Sequence, residues 1–180
     1  MCNKIAIVDL NDNIIGFEDK IKVHKEGILH RAFSVFIFNE RNELLLQKRA
    51  KTKYHSPSLW SNTCCSHLSV GEEMKIAVKN RLYLEMGLKC NVKFIKKFSY
   101  KISFMDEMIE NEIDYLYLGW SNNNPIINLD EVSDYKWISQ DELIEELKKN
   151  PDKFTYWFLK IIQLYDIFNL SINLTSKYNT

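Results

Sequence analysis

The sequence predicts an α+β sandwich in which a sheet packs against helices, and the order of its elements supports that class. Runs rich in β-branched and aromatic residues lie before and after one central helical segment, and two further helical segments follow. The 180 residues suffice for one domain, and the composition, 46% hydrophobic and 27% charged, excludes a disordered chain. We expect a single domain over residues 1–170 and a flexible tail over residues 171–180.

The first half of the chain shows strand patterns separated by turns and one long loop. Residues 4–15 predict two short strands around an Asn/Asp turn, and residues 32–38 predict a buried strand. The NERN turn leads to another strand over residues 43–49, so these last two strands are expected to form a hairpin. Residues 50–63 contain Pro57 and many polar side chains, which predicts a loop.

The second half of the chain changes from helix to strands and back to helices. Gly87 stands where a C-terminal glycine cap belongs, so the central helix is expected to end at Met86. Ser139 is the expected N-cap of a later helix, and Pro151 marks the end of that helix. The predicted elements are a helix over 72–86, strands over 92–104, 112–120 and 134–138, and helices over 140–149 and 154–168.

The charge balance and the cysteines exclude several classes of protein. Lysine and arginine together number 24, as do aspartate and glutamate, so there is no basic excess for nucleic acid or an anionic membrane surface. The apolar runs are too short or too interrupted to span a bilayer, and the N-terminus lacks the zones of a secretory signal. The four cysteines show no disulfide-framework spacing, so we expect a cytoplasmic location.

Histidines and paired carboxylates form the first candidate site. Residues two apart in a strand share a face, so Glu110 and Glu112 should point the same way and repel each other unless a cation lies between them. With three histidines, such a set suits manganese or zinc better than magnesium. Two ordinary alternatives remain: structural histidines, and an acidic run that is merely solvated. The residues of this candidate site are His24, His30, His67, Glu110 and Glu112.

A pair of charged residues on the central helix, one cysteine and a basic group ahead of the helix form three further candidates. Arg81 and Glu85 are four residues apart, which fits either an ordinary helical ion pair or a phosphate contact beside a cation ligand. Cys65 precedes a predicted loop-to-helix junction, so it is either a buried apolar side chain or a thiol with a lowered pKa. A basic group ahead of the helix is either a solvated hairpin end or an oxyanion clamp, and it consists of Lys48, Arg49, Lys51 and Lys53.

Taken together and in this order, these motifs resemble the type 1, metal-dependent isopentenyl-diphosphate delta-isomerases, a family with the Nudix fold. The resemblance runs from about residue 4 to about residue 165 and rests on HRAFSVFIFN, LLLQKRA, LWSNTCCSH, RLYLEMGL, ENE and LDEVSDYKW. It implies a Nudix-type α/β/α sandwich with a mixed sheet flanked by helices. It also implies a monomeric isomerase that interconverts isopentenyl diphosphate and dimethylallyl diphosphate for isoprenoid synthesis, with this prenyl diphosphate as its small-molecule partner.

The resemblance also implies a role for each candidate residue. The acid–base pair on opposite faces of the substrate would be Cys65 and Glu112, with Tyr100 beside the glutamate and Trp157 facing the developing positive charge. One manganese, zinc or magnesium ion would be held by His24, His30, His67, Glu110 and Glu112. One magnesium ion would bridge the substrate diphosphate to Glu85 and the backbone carbonyl of Cys65. The diphosphate itself would contact Lys20, Arg49, Lys53, Ser66 and Arg81.

The sequence departs from the Nudix hydrolase pattern G-x5-E-x7-R-E-U-x-E-E-x-G-U at functional positions. Aligned on Gly87, it has Ser66 for the first glycine, and Arg81 and Leu84 replace two metal-binding carboxylates. This favours the isomerase over a Nudix pyrophosphohydrolase. A non-catalytic metal-binding module is also disfavoured, because closed structural sites more often use a cysteine-rich tetrahedral set. Leu68 stands where the isomerases usually have proline, and we expect it to alter loop rigidity only.

Overall fold

A nine-stranded sheet forms the middle layer of the fold, and helices cover both of its faces. The computed structural model describes residues 3–104 and 107–175. The strands are β1 (Lys4–Val8), β2 (Ile14–Asp19), β3 (His30–Phe38), β4 (Leu44–Arg49), β5 (Trp60–Ser61), β6 (Cys64–His67), β7 (Val92–Ser103), β8 (Ile109–Trp120) and β9 (Val132–Ile138). The helices are α1 (Lys20–Glu26), α2 (Met74–Met86), α3 (Gln140–Lys149), α4 (Tyr156–Leu164) and α5 (Ile167–Thr175).

Strand β3 lies at the centre of the sheet and joins segments that are distant in sequence. It runs parallel to β8, with His30 opposite Glu112, and antiparallel to β1, β4 and β6. In the pairing with β6, Ala32 lies opposite His67 and Ser34 lies opposite Cys65. One central strand therefore brings the start of β8 and the whole of β6 to the same region of a mixed sheet.

Two apolar clusters fill the spaces on the two sides of the sheet. One contains Phe36 and Phe38 of β3 and packs under α3, α4 and α5. The other contains Phe33, Val35 and Ile37 of the same strand and packs under α2. Because side chains alternate between the two faces of a strand, both faces of the sheet are apolar and both are covered. This confirms the predicted α+β sandwich with a mixed sheet flanked by helices.

Two predictions for the first half of the chain are corrected by the strand pairing. The hairpin of β3 and β4 is limited to the Phe38–Leu44 pair at the turn, because β6 pairs with β3 and β5 pairs with β4 along the edges that the two strands would otherwise share. Residues 64–67, which were predicted to lie beside a loop-to-helix junction, form strand β6, and α2 begins at Met74 rather than at Glu72. Both differences arise from long-range hydrogen bonds that local sequence does not record.

The two predicted helix caps are confirmed. Gly87 has a φ of 66°, and its N–H donates to the carbonyl of Tyr83 at the end of α2. Only a residue without a Cβ adopts this left-handed conformation at no steric cost. Ser139 and Glu142 form a reciprocal capping box at the start of α3. These caps determine where the two helices end and begin.

The end of the described chain differs from the prediction. The single helix expected over residues 154–168 is two helices, α4 and α5, separated at Tyr165 and Asp166. Helix α5 continues to Thr175, so residues 171–175 of the expected flexible tail are helical. Residues 176–180 lie outside the described residues, and the domain boundary stays a prediction. None of the helices in the described ranges has the length and apolar character needed to cross a bilayer.

Candidate active site

A pocket on the face of the sheet under α4 contains most of the predicted site residues. It lies where β6, β3 and β8 run side by side, and the loop between β4 and β5 covers part of it. Side chains two apart on one strand share a face, so Glu110, Glu112 and Asp114 of β8 all reach it. Further lining residues are Lys20, Ser34, Arg49, Lys53, Tyr54, His55, Cys65, Ser66, His67, Arg81, Tyr100 and Trp157.

Two of the three predicted histidine ligands are held in a defined tautomer by backbone carbonyls. Nδ1 of His24 donates to the carbonyl of Lys20 at 2.6 Å, and Nδ1 of His30 donates to the carbonyl of Ile28 at 2.8 Å. Because a carbonyl only accepts, the proton of each neutral ring lies on Nδ1 and the lone pair lies on Nε2. Both rings therefore direct a nitrogen that can bind a metal toward Glu110 and Glu112.

The carboxylates face these same nitrogens. Oε2 of Glu110 lies 3.2 Å from Nε2 of His24, and Oε1 of Glu112 lies 3.2 Å from Nε2 of His30 and 2.9 Å from Nε2 of His67. One ligand atom from each of these five residues lies within 4.8 Å of all the others.

The chemistry of these donors fits a divalent metal ion. Oε2 of Glu110 and Nε2 of His24 and of His30 are buried, and none has a hydrogen-bond partner among the described residues. Lone pairs that face one another at this distance repel unless a cation or a proton lies between them. The structure thus brings together all five residues that were predicted to hold the first metal, and the solvated acidic run is excluded for Glu110 and Glu112.

Electrostatics keep these carboxylates charged despite their burial. Burial raises the pKa of Glu110, but hydrogen bonds and positive charge from the His24 and His55 rings, in the place that a cation would take, outweigh burial and hold the pKa well below its usual value. Burial and Glu110 raise the pKa of Glu112, yet contacts with His30 and His67 lower it overall. The two groups are therefore anionic acceptors, as a metal site requires.

His55 and Asp114 are among the pocket residues that were not recognised as site residues from sequence. Nε2 of His55, in the loop before β5, lies 2.9 Å from Oε1 of Glu110. Asp114 is buried and accepts a hydrogen bond from the Ser34 hydroxyl at 2.8 Å, and burial beside Glu112 raises its pKa well above the usual value. Asp114 is a carboxylate two residues after Glu112 on the same face of β8, so the alternation of side chains along a strand could have predicted it. No local sequence pattern marks His55.

Cys65 lies in the pocket on β6, whereas Cys64 is buried on the opposite face against α2. Burial raises the pKa of Cys65 to about 12, and nearby Arg49 and Lys53 only partly offset that rise. The alternative of a thiol with a lowered pKa at a helix start is therefore wrong, because Cys65 is in a strand and is desolvated. At neutral pH this side chain is a protonated thiol.

Tyr100 and Trp157 lie on the same side of the sheet as the carboxylates. The Tyr100 hydroxyl donates to Oε2 of Glu112 at 2.6 Å, and the tyrosine is buried. The Trp157 indole N–H donates to the Ser61 hydroxyl at 2.9 Å, and the Arg49 guanidinium carbon lies 5.1 Å from the centroid of the Trp157 ring. Both aromatic side chains are thus held in place by polar contacts at the edge of the pocket.

Four cations of the pocket lie close enough together to repel one another. They are Lys20, Arg49, Lys53 and Arg81, and Ser66 lines the same space. Burial, together with the charges of the other three, lowers the pKa of Lys20 to about 8. Repulsion of this kind is relieved by a bound anion, so the group fits a diphosphate. Two members of the predicted basic group, Lys48 and Lys51, do not line the pocket.

Arg81 is oriented by two carboxylates. Its Nε donates to Oε1 of Glu85 at 2.6 Å, and its Nη2 donates to Oε2 of Glu131 at 2.7 Å. The helical ion pair of Arg81 with Glu85 is thus formed, and Gln47 donates to the other Glu85 oxygen at 2.8 Å. Glu131, which also pairs with Lys53, was not predicted to belong to the site.

Comparison with known proteins gives one family and a set of relatives. A model described as the NUDIX domain matches residues 28–158. The chain is 48% identical to "Isopentenyl-diphosphate Delta-isomerase 2" of Photorhabdus laumondii subsp. laumondii, over 88% of this chain and 89% of that protein. It is 45% identical to "Isopentenyl-diphosphate Delta-isomerase" of Pectobacterium atrosepticum, over 86% of this chain and 87% of that protein.

Solved structures resemble the fold at low sequence identity. DR0079 from Deinococcus radiodurans superposes with a TM-score of 0.68 at 15% identity, covering 81% of this chain and 89% of that one. A MutT protein from Methanosarcina mazei Go1 gives a TM-score of 0.63 at 17% identity, covering 78% of this chain and 95% of that one. At such identities the likeness concerns the fold alone.

Proposed function

This chain belongs to the isopentenyl-diphosphate Delta-isomerase family within the NUDIX fold, and we propose that it carries out that family's reaction in the pocket described above. The proposed reaction interconverts isopentenyl diphosphate and dimethylallyl diphosphate, which differ only in the position of one double bond and one proton. The observation that carries the proposal is the meeting, in one pocket, of a thiol, a tyrosine-bound carboxylate and four cations.

Moving the double bond requires two acid–base groups. One group adds a proton to an alkene carbon, and the other removes a proton from the carbon on the far side of the resulting cation; the reverse reaction exchanges their roles. We assign these roles to Cys65 and Glu112. The register of β6 and β8 on the two edges of β3 supports this pair, because it brings both side chains into one pocket from opposite sides.

Tyr100 and Trp157 support the same step in different ways. The Tyr100 hydroxyl bonds one oxygen of Glu112 and orients the carboxylate. The buried Trp157 ring offers a π face that stabilises positive charge and resists reaction with a carbocation. The buried aromatic surroundings also exclude water, which would otherwise capture the cation.

The residues that fit metal ions are assigned accordingly. His24, His30, His67, Glu110 and Glu112 would hold one manganese, zinc or magnesium ion, and when bound it would supply positive charge that makes Glu112 a weaker base. Glu85 and the Cys65 carbonyl would hold a magnesium ion, which when bound would neutralise charge on the substrate diphosphate.

The diphosphate is assigned to the cationic end of the pocket. Lys20, Arg49, Lys53 and Arg81 supply the positive charge there, and Ser66 supplies a hydroxyl. This leaves the hydrocarbon part of the substrate toward Cys65, Glu112 and Trp157.

Proton NMR of isopentenyl diphosphate in heavy water, with the protein, magnesium and manganese, tests the proposal directly. We expect dimethylallyl signals to grow and to carry deuterium. Release of phosphate with unchanged alkene signals would identify a pyrophosphohydrolase instead. Metal binding with neither new dimethylallyl signals nor released phosphate would identify a non-catalytic metal-binding module. A monomeric state and a cytoplasmic location stay predictions; size-exclusion chromatography with light scattering tests the former.

A further inference from the structure

His55 is a buried side chain whose ring is held on several sides by aromatic neighbours. It is 4% exposed, stacks on Phe104 with ring centroids 6.1 Å apart, and meets the edge of Trp157 at 5.4 Å. Its backbone is also held, because Nη2 of Arg49 donates to the His55 carbonyl at 3.1 Å. The position of the ring is therefore set by contacts that do not involve Glu110.

The two oxygens of Glu110 face different partners. Oε1 lies 2.9 Å from Nε2 of His55, whereas Oε2 lies 3.2 Å from Nε2 of His24 and 3.8 Å from Nε2 of His30. Since a carboxylate only accepts, the His55 proton in this contact lies on Nε2. His55 thus contacts one oxygen of Glu110, and the other oxygen faces the ligand nitrogens of His24 and His30.

We propose that His55 is a positioning residue of the metal site, which holds Oε1 of Glu110 through its Nε2–H so that Oε2 faces the metal. His55 is not itself one of the five residues whose ligand atoms converge. Its edge contact with Trp157 links the metal site to the ring assigned to the substrate cation. This inference rests on the proposed metal site and goes beyond the residues that the family resemblance names.

Titration calorimetry of the metal-free protein with Mn²⁺ tests this role without measuring turnover. The matched variants are His55→Phe, which keeps a flat ring and removes the N–H, and His55→Gln, whose amide can still donate. Loss of an outer hydrogen bond to a metal ligand typically lowers metal affinity about 10- to 100-fold. We expect a loss of that size for His55→Phe and a smaller loss for His55→Gln, with circular dichroism showing that both are folded.

A double-mutant cycle with Glu110→Ala separates positioning from a general structural effect, because alanine has no oxygen to accept from His55. If His55 acts through Glu110, adding His55→Phe to Glu110→Ala should change Mn²⁺ affinity by no more than about twofold, the limit of additivity error. An equal loss in both backgrounds would overturn the inference, as would parental affinity in His55→Phe. A parent that binds no Mn²⁺ would overturn it together with the metal site. A parent that binds Mn²⁺ but does not isomerise would overturn only the proposed reaction.

Discussion

Tyr100 and Glu112 are directly opposite each other on the antiparallel strands β7 and β8, and the tyrosine hydroxyl donates to Oε2 of the glutamate at 2.6 Å. The other oxygen, Oε1, faces His30 and His67. Glu112 therefore contacts two histidines of the cluster with one oxygen and the buried Tyr100 hydroxyl with the other. Burial and the charge of Glu112 raise the pKa of Tyr100 well above its usual value, so the phenol stays a donor across the physiological range.

Replacing this donor should slow the reaction without removing the metal site. Tyr100→Phe leaves Oε2 of Glu112 buried without its partner, and a hydrogen bond to a charged group contributes about 1.5–3 kcal/mol. We expect kcat to fall about 10- to 100-fold, with unchanged Mn²⁺ stoichiometry by elemental analysis. Parental kcat in this variant would show that the tyrosine does not orient the glutamate for chemistry.

Removing the thiol should have a larger effect. Positioned acid–base groups typically contribute 10²–10⁴-fold, so Cys65→Ala should lose at least about 100-fold in turnover. Its neighbour provides the control: Cys64→Ala changes a side chain on the opposite face, against α2, and should alter stability rather than chemistry. Steady-state assays measure the turnover of both variants. Activity of Cys65→Ala within about tenfold of the parent would contradict its assigned acid–base role.

The lowered pKa of Lys20 predicts proton uptake when an anion binds. The pKa is about 8 rather than 10.5 because of burial and then of Lys53, Arg81 and Arg49. Pyrophosphate beside Lys20 favours its charged form and raises that pKa, so binding above pH 8 should take up as much as one proton and weaken as the pH rises. Calorimetry at pH values just above the Lys20 pKa, in two buffers of different ionisation enthalpy, measures this uptake.

Lys20→Arg is the control for that experiment, because it keeps the charge but does not titrate in this range. Pyrophosphate itself also binds protons. Subtracting the proton uptake measured with Lys20→Arg from that of the parent leaves the uptake that is due to Lys20. Equal uptake by parent and variant would show that Lys20 is not the responsive group. In the free protein, burial of charged Lys20 destabilises the fold below pH 8, and this destabilisation disappears as the pH rises toward 10.5. A lysine in a favourable ion pair has the opposite effect, because its stabilisation is lost as the pH rises.

Two glycines with left-handed backbones allow a matched test of the α2 cap. A Cβ on Gly87 would lie 2.7 Å from the carbonyl oxygen of Ile126, whereas a Cβ on Gly71 would meet nothing within 4 Å. Gly71→Ala should therefore lose only about 1–2 kcal/mol from backbone strain, and Gly87→Ala clearly more. The free energy of unfolding in urea measures both, and equal losses would show that the Ile126 contact is easily relieved.

Local sequence was sufficient for the elements whose determinants are local. The Gly87 and Ser139 caps lie within one turn of the helix ends that they mark, and both are confirmed. The shared face of Glu110 and Glu112 followed from the period of two in a strand, and both carboxylates do reach one pocket. The family and its fold followed from motif order, and the NUDIX match and the relatives confirm them.

Other features depended on contacts between segments far apart in the chain. His55 lies in a loop with no periodic pattern, and its contact with Glu110 spans 55 positions of sequence. Glu131 directly precedes β9, and it reaches Lys53 and Arg81 because β9 pairs with the distant strand β4. The raised pKa of Cys65 follows from burial under α4, which the spacing of NTCCSH does not encode.

The sequence by itself determined the family, the side chains that make up the candidate metal site and the cationic group, and the faces on which strand residues lie. Those properties depend on residue types and on spacings of a few positions, which the chain displays directly. Only the tertiary structure decided which oxygen of Glu110 and of Glu112 faces which histidine ring. It also decided that His55 and Tyr100 contact the remaining oxygens of these two carboxylates. These relationships arise where β6 and β8 pair with the two edges of β3, because strand register is set by long-range packing and hydrogen bonding.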